Sequence, residues 1–171
     1  VIDKINNHLT KKNIQVDKVY LENTFKKIHS DFSKEAYKFI VPIIPAYKLV
    51  KSLKKFNVKL ILLTSDTKDN AEESIKILKI NKYFDLVIGG DSGFGDKRSG
   101  ESCKYICKEL SLDKTKVITI GDAPVDSEMA INAELKASIL VDSGQISKNN
   151  LYKFSKYCIS DLSEITIERS I

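Results

Sequence analysis

Asp122 and Asp126 stand four residues apart behind an apolar run, in Val117-Ile-Thr-Ile-Gly121-Asp122-Ala-Pro-Val-Asp126. Alternating β-branched and apolar residues predict a buried strand, and Gly121-Asp122 predicts a turn at its carboxyl end. Pro124 suits the first position of a helix that carries Asp126 one turn further on. Two hard oxygen ligands at a strand-to-helix turn suit Mg²⁺, and open α/β sheets bind ligands at such strand ends. The competing role for either carboxylate is structural, the capping of orphan amides at a helix start.

Two further groups precede this pair. Leu60-Ile-Leu-Leu-Thr64-Ser65 reads as a strand ending in hydroxyls. The Thr64 hydroxyl and the amides beside it suit a phosphoryl oxygen, with Ser65 as a second donor. The competing role is the N-cap of the following helix, for Thr64, Ser65 or Asp66. The stretch from Gly89 to Gly100 holds five of the seven glycines and presents Lys97 and Arg98. It must bend sharply or approach something closely. Lys97 supplies an ammonium for an anion, or else is a surface lysine of the loop; Lys104 takes its place if the register differs. Arg98 touches substrate or supports the loop. Gly95 to Gly100 has the outer spacing of a P-loop, but Glu101 occupies the place of the phosphate-binding lysine, which excludes that reading. Asp91 and Asp96 read as turn residues. Asp142-Ser-Gly lacks a second acid at useful spacing, and His8 and His29 read as surface or packing residues.

In this order and with these apolar lead-ins, the hydroxyl, the lysine and the paired aspartates resemble the haloacid dehalogenase-like phosphatase superfamily, in particular its phosphoglycolate-phosphatase-like branch. The resemblance covers about residues 45–165. It implies an Mg²⁺-dependent phosphomonoester hydrolase that works through an aspartyl-phosphate. Thr64, Ser65, Lys97 and Arg98 would then meet the phosphate, with Thr64 and Lys97 catalytic and Lys97 offsetting the charge shared by the attacking Asp and the phosphoryl group. Asp122 would ligate the metal, and Asp126 would assist directly or through water. The family's first strand ends in Asp-x-Asp, and that motif occurs nowhere in these 171 residues. The expectation is therefore a C-terminal portion of a phosphatase whose nucleophile strand lies upstream. In the family's sheet that strand lies between the strands ending at Thr64 and Ile120, so its removal leaves two edges unpaired. The alternative is a noncatalytic phosphate- or nucleotide-binding module. A response-regulator-like switch would need a phosphoacceptor Asp at the end of a central strand, and none is evident.

The elements that must position these residues fall into two parts. Residues 1–41 show no convincing strand. Leu21, Phe25, Ile28 and Phe32 form one helical stripe, with Asp17 and Ser33 as candidate N-caps, and Pro42 and Pro45 punctuate the chain. The resemblance makes this part a helical cap remnant. Residues 42–171 alternate helix and strand: helix faces at Ala46–Leu53, Ala71–Leu78, Ser99–Leu110 and Met129–Ala133, and strands at Val58–Thr64, Asp85–Ile88, Lys116–Ile120, Ala137–Val141 and before Ile159. Strands apolar on both faces and joined by crossover helices predict a three-layer, Rossmann-like α/β core with a parallel sheet, lacking its first strand.

Composition narrows the partners. At 42% hydrophobic content the chain can bury a core, and no apolar run approaches a membrane span. The net charge of +5 is spread in lysine pairs such as Lys11-Lys12 and Lys26-Lys27, with arginine only at 98 and 169. Nucleic acid would call for a concentrated basic stripe. Cys103, Cys107 and Cys158 are odd in number and predict reduced thiols in a cytoplasmic setting. The expected partner is a small phosphorylated metabolite, together with the missing N-terminal segment of the same protein. Neither nucleic acid nor membrane is expected.

Overall fold

The computed structural model describes residues 2–36, 40–41, 44–144 and 146–168. The chain divides into two compact units, Val1–Val41 and Pro42–Ile171. The first holds two helices, α1 (Ile2–Lys11) and α2 (Lys18–Ala36). Asp17 caps α2 as its position predicts, its carboxylate accepting the Tyr20 N–H at 2.8 Å. Ser33 caps nothing new, because α2 continues through it. Neither Gly nor Pro interrupts residues 18–36, and an interior serine costs a helix little. The stripe is not a buried seam: Ile28 is exposed, and no described side chain of this unit is buried. The Phe32 and His29 side chains and Pro42 lie outside the described residues.

In the second unit, Pro45 sits in the first turn of α3 (Ile44–Lys55). There follow β1 (Ile61–Leu63), α4 (Lys68–Ile77), β2 (Leu86–Ile88), α5 (Glu101–Glu109), β3 (Ile118–Gly121), α6 (Pro124–Asn132), β4 (Ala137–Val141), α7 (Lys148–Leu151) and β5 (Tyr157–Ile159). All strand pairs are parallel, as expected of apolar runs separated by helices. They form two sheets, β1-β2 and β3-β4-β5, so β1 and β3 each leave one edge unpaired among the described residues. β3 also departs from the expectation of two covered faces. Thr119 turns toward α6, its hydroxyl donating to the Asp126 carbonyl at 3.3 Å. Ile118 and Ile120 point the other way and stay 45% and 38% exposed. Packing is concentrated elsewhere: Cys103, Met129 and Ala133 gather with Leu63 and Leu135, and Leu140, Leu151 and Cys158 with Ile146.

Five helix ends share one device. Asn13, Asn57, Lys79, Ser111 and Glu134 all take left-handed backbone conformations. In each case the next residue is apolar and donates its N–H to the carbonyl five positions back, as Ile80 does to Ile75 and Leu135 to Ala130. The turn satisfies late carbonyls and aims the chain into its next segment. A side chain in this conformation costs about 1–2 kcal/mol that glycine avoids. Lys79→Gly is therefore expected to stabilise the protein by about 0.5–1 kcal/mol, net of the glycine's greater freedom when unfolded. Urea unfolding midpoints would show it.

Where β1 and β2 begin, Asp85 ties their entry together. Its carboxylate accepts from Lys54 at 2.6 Å, Leu60 N–H at 2.8 Å and Lys59 at 3.3 Å. Burial opposes its charged form, but these donors hold the carboxyl at about 2, below its ordinary 3.8. A value depressed by folding stabilises above pH 3.8, and that gain is lost as pH falls through about 2. Asp85→Asn is expected to cost about 1–2 kcal/mol at neutral pH, discounted for the exposed lysines, and to flatten the acid limb of stability. Denaturant unfolding from pH 7 to pH 2 measures both.

Candidate functional site

Thr64 follows the last residue of β1 and is fixed to β2 by its N–H, which donates to Ile88 O at 3.0 Å. Its hydroxyl oxygen accepts the Asp66 N–H at 3.1 Å, leaving the hydroxyl proton to donate outward. The N-cap of α4 is Thr67, whose side chain accepts from Asn70 N. None of Thr64, Ser65 and Asp66 has that duty. The Ser65 amide has no acceptor among the described residues.

Lys97 opens a single 3-10 turn, Lys97–Ser99, started by Asp96, which accepts the Arg98 N–H at 2.9 Å. Gly100 ends the turn at φ 75° and must be glycine for a second reason, since a Cβ there would lie 2.8 Å from Ala133 N and 2.9 Å from Met129 O. The loop is thus pressed onto α6. Asn132 donates to Arg98 O at 2.8 Å, and the Arg98 Nε meets Glu128 at 2.8 Å.

Thr64, Ser65 and Lys97 line one open cleft of about 200 Å³, with Gly89, Gly90, Phe94 and Ser102. The Lys97 ammonium lies 2.7 Å from Asp126 Oδ1, in a pair whose side chains are only 19% and 9% exposed. Asp126 Oδ2 accepts the N–H groups of Asp122 and Ala123, each at 3.1 Å. Gly121 permits this, because a Cβ on it would fall 2.2 Å from the Asp126 carboxyl carbon. One buried carboxylate therefore joins the lysine loop to the turn after β3. Asp122 is exposed, and among the described residues its carboxylate has no hydrogen-bond or ion-pair partner. The loop after β4 comes close to it: a Cβ on Gly144 would lie 2.6 Å from Asp122 Oδ2.

The structure thus sets Thr64, Ser65 and Lys97 along one cleft and ties Lys97 through Asp126 to the Asp122 backbone; neither aspartate is among the residues that line the cleft. Arg98 is not among the residues lining the cleft, and its pair with Glu128 is consistent with loop support. Lys104 pairs with Glu101 at 2.8 Å on the surface of α5 and does not replace Lys97. Asp96 is a turn residue, as read. Asp91 is more than that, since its carboxylate reaches across to the Lys68 N–H at 2.8 Å. The Gly-Gly-Asp sequence directly after β2 was its one signal. Cys103 lies beside the lysine loop, but burial pushes its thiol up to about 11, so it is no nucleophile.

For a divalent cation, Asp122 offers the available oxygens, while both Asp126 oxygens are committed to N–H donors. No group of three or more His, Cys, Asp or Glu side chains among the described residues could hold a metal. A Mg²⁺ held at Asp122 would take its remaining ligands from water and phosphate oxygens. No described helix is long and apolar enough to cross a membrane.

The family profile described as "Haloacid dehalogenase-like hydrolase" matches residues 2–140. A phosphorylated carbohydrates phosphatase of Thermotoga maritima is 26% identical over 117 residues, 68% of this chain and 54% of its own length. A phosphoglycolate phosphatase of Aquifex aeolicus is 30% identical over 101 residues, 57% of this chain and 45% of its own. The chain spans about half the length of the curated relatives it matches. Among solved structures, a haloacid dehalogenase-like hydrolase of Streptococcus pneumoniae superposes with a TM-score of 0.74 at 18% identity, covering 87% of this chain and 70% of the other. That likeness establishes a shared fold of helices on a parallel sheet.

Proposed function

The chain belongs to the haloacid dehalogenase-like hydrolases, and from that premise we propose that the protein hydrolyses a small phosphate monoester through an aspartyl-phosphate. The observation that carries the reading is this arrangement. Thr64 and Lys97 line one cleft, and Asp126 ties the Lys97 ammonium to the turn of Asp122, whose carboxylate has no partner among the described residues.

In this reading the phosphoryl group sits at the carboxyl end of β1. The Thr64 O–H and the Ser65 N–H donate to its oxygens. Lys97 offsets the negative charge shared by the phosphoryl group and the carboxylate that attacks it. Asp126 acts at one remove, orienting the ammonium through Oδ1 and the Asp122 backbone through Oδ2. Asp122 would hold Mg²⁺, which when bound would supply positive charge to offset that of the phosphoryl group. The attacking carboxylate comes from a further strand ending in Asp-x-Asp, seated between β1 and β3. The unpaired edges of β1 and β3 support that placement. Residues 1–41 serve as part of a helical cap that selects the substrate. Three free cysteines favour a cytoplasmic setting.

The test compares this chain alone with the same chain joined to an apolar strand ending in Asp-x-Asp. The expected result is that only the joined protein releases phosphate from an aryl phosphate, and that EDTA abolishes the release. Phosphate release by the chain alone would refute the external nucleophile. A joined, folded protein without activity would favour a noncatalytic phosphate-binding module.

A further inference from the structure

The turn bearing the proposed phosphate donors is not held by its own helix alone. Two successive glycines let the turn after β2 press against it: a Cβ on Gly90 would lie 2.5 Å from Ser65 O, and one on Gly89 2.2 Å from Lys68 N. The Gly90 N–H donates to Asp66 O at 2.7 Å, and the Lys68 N–H donates to Asp91 Oδ1 at 2.8 Å. Ser92 closes the partner turn, its hydroxyl oxygen accepting the Gly89 N–H at 3.1 Å. Lys68 is the first residue of α4, so Asp91 satisfies an amide that the Thr67 cap, bonded to Asn70, does not reach. The turn that follows residues 64 and 65 is therefore also tied to a carboxylate 23 residues beyond Lys68 in the chain.

We propose that Asp91 is a positioning residue for phosphate binding: by holding the Lys68 amide it fixes the 65–68 turn so that the Thr64 hydroxyl and Ser65 N–H converge on one anion. This rests on the phosphate-site reading above. Asp91 touches no substrate and acts only through the turn. The requirement is for an oxygen acceptor at this point rather than a charge, which separates Asp91 from an electrostatic partner of the metal. Asp91 is exposed, so its replacement leaves the core packing untouched.

The experiment is titration of the ¹⁵N-labelled chain with inorganic phosphate in the presence of Mg²⁺, following the amides of Thr64, Ser65, Lys68 and Lys97. In wild type the Thr64 and Ser65 amides are expected to shift together. Asp91→Ala is expected to raise the apparent Kd for phosphate about tenfold, the scale of one lost capping bond. Asp91→Asn, whose Oδ1 still accepts from Lys68, is expected to stay within about twofold of wild type. A merely structural role would lower the melting temperature of the alanine variant without this rescue pattern in Kd. Wild type showing no change at Thr64 and Ser65 would overturn the phosphate-site reading and this inference with it. Wild-type binding with an unaltered Kd in Asp91→Ala would overturn the inference alone, as would an asparagine variant as weak as the alanine one.

Discussion

In the chain joined to a strand ending in Asp-x-Asp, Lys97→Met is expected to lower kcat about 10²–10³-fold, with KM rising less than about tenfold. Methionine keeps most of the lysine's length, so the loop's packing against α6 is retained and the charge is what is removed. In the proposed reaction that charge faces two partners that are both anions. The lysine side chain is only 19% exposed, so water screens it poorly. Its orientation is also fixed in advance by Asp126 at 2.7 Å, so little reorganisation is needed when charge moves along the reaction coordinate. Initial rates on an aryl phosphate at saturating Mg²⁺ provide the measurement. Retention of more than a third of the activity would remove Lys97 from the reaction centre.

The strand-end chemistry was legible because it is local. An apolar run closing on Thr-Ser or Gly-Asp reports a parallel strand and what stands at its mouth, and Thr64 and Gly121 do stand at the carboxyl ends of β1 and β3. Helix ends were harder to read. The sequence signal for a left-handed end is glycine, and here Asn13, Asn57, Lys79, Ser111 and Glu134 do the work, stabilised by the apolar residue that follows. Ser33 misled for the opposite reason, since a good capping residue signals a start only where something stops the preceding helix. Long-range partnerships were not legible at all. Arg98 finds Glu128, and Asp91 finds Lys68, only because Gly100 and the Gly89-Gly90 pair allow close approach of segments distant in sequence. The exposed face of β3 was equally hidden, because Ile118 and Ile120 look like core residues until the elements around them are known.

Asp126→Ala is expected to destabilise the chain by about 3–5 kcal/mol, the range for a buried ion pair broken from one side. The substitution strands the Lys97 ammonium and at once frees the Asp122 and Ala123 amides, all three of which share this one carboxylate. Lys97→Met alone strands the carboxylate, which keeps its two amide donors and so costs less. The double variant removes both charges together. It should lose less than the sum of the two single changes, with a coupling of at least about 1 kcal/mol. Urea unfolding of the four proteins closes the cycle; additivity within about 0.5 kcal/mol would mean that the pair at 2.7 Å carries no net interaction. Asp122 supplies the contrast. Its exposed carboxylate has no partner among the described residues, so Asp122→Asn should change stability by less than about 0.5 kcal/mol. If it holds Mg²⁺, the same change should still abolish Mg²⁺-dependent phosphate release by the chain joined to a strand ending in Asp-x-Asp. The two aspartates of one turn thus differ by burial: the enclosed one joins the lysine loop to the turn, and the open one keeps its oxygens without a partner among the described residues.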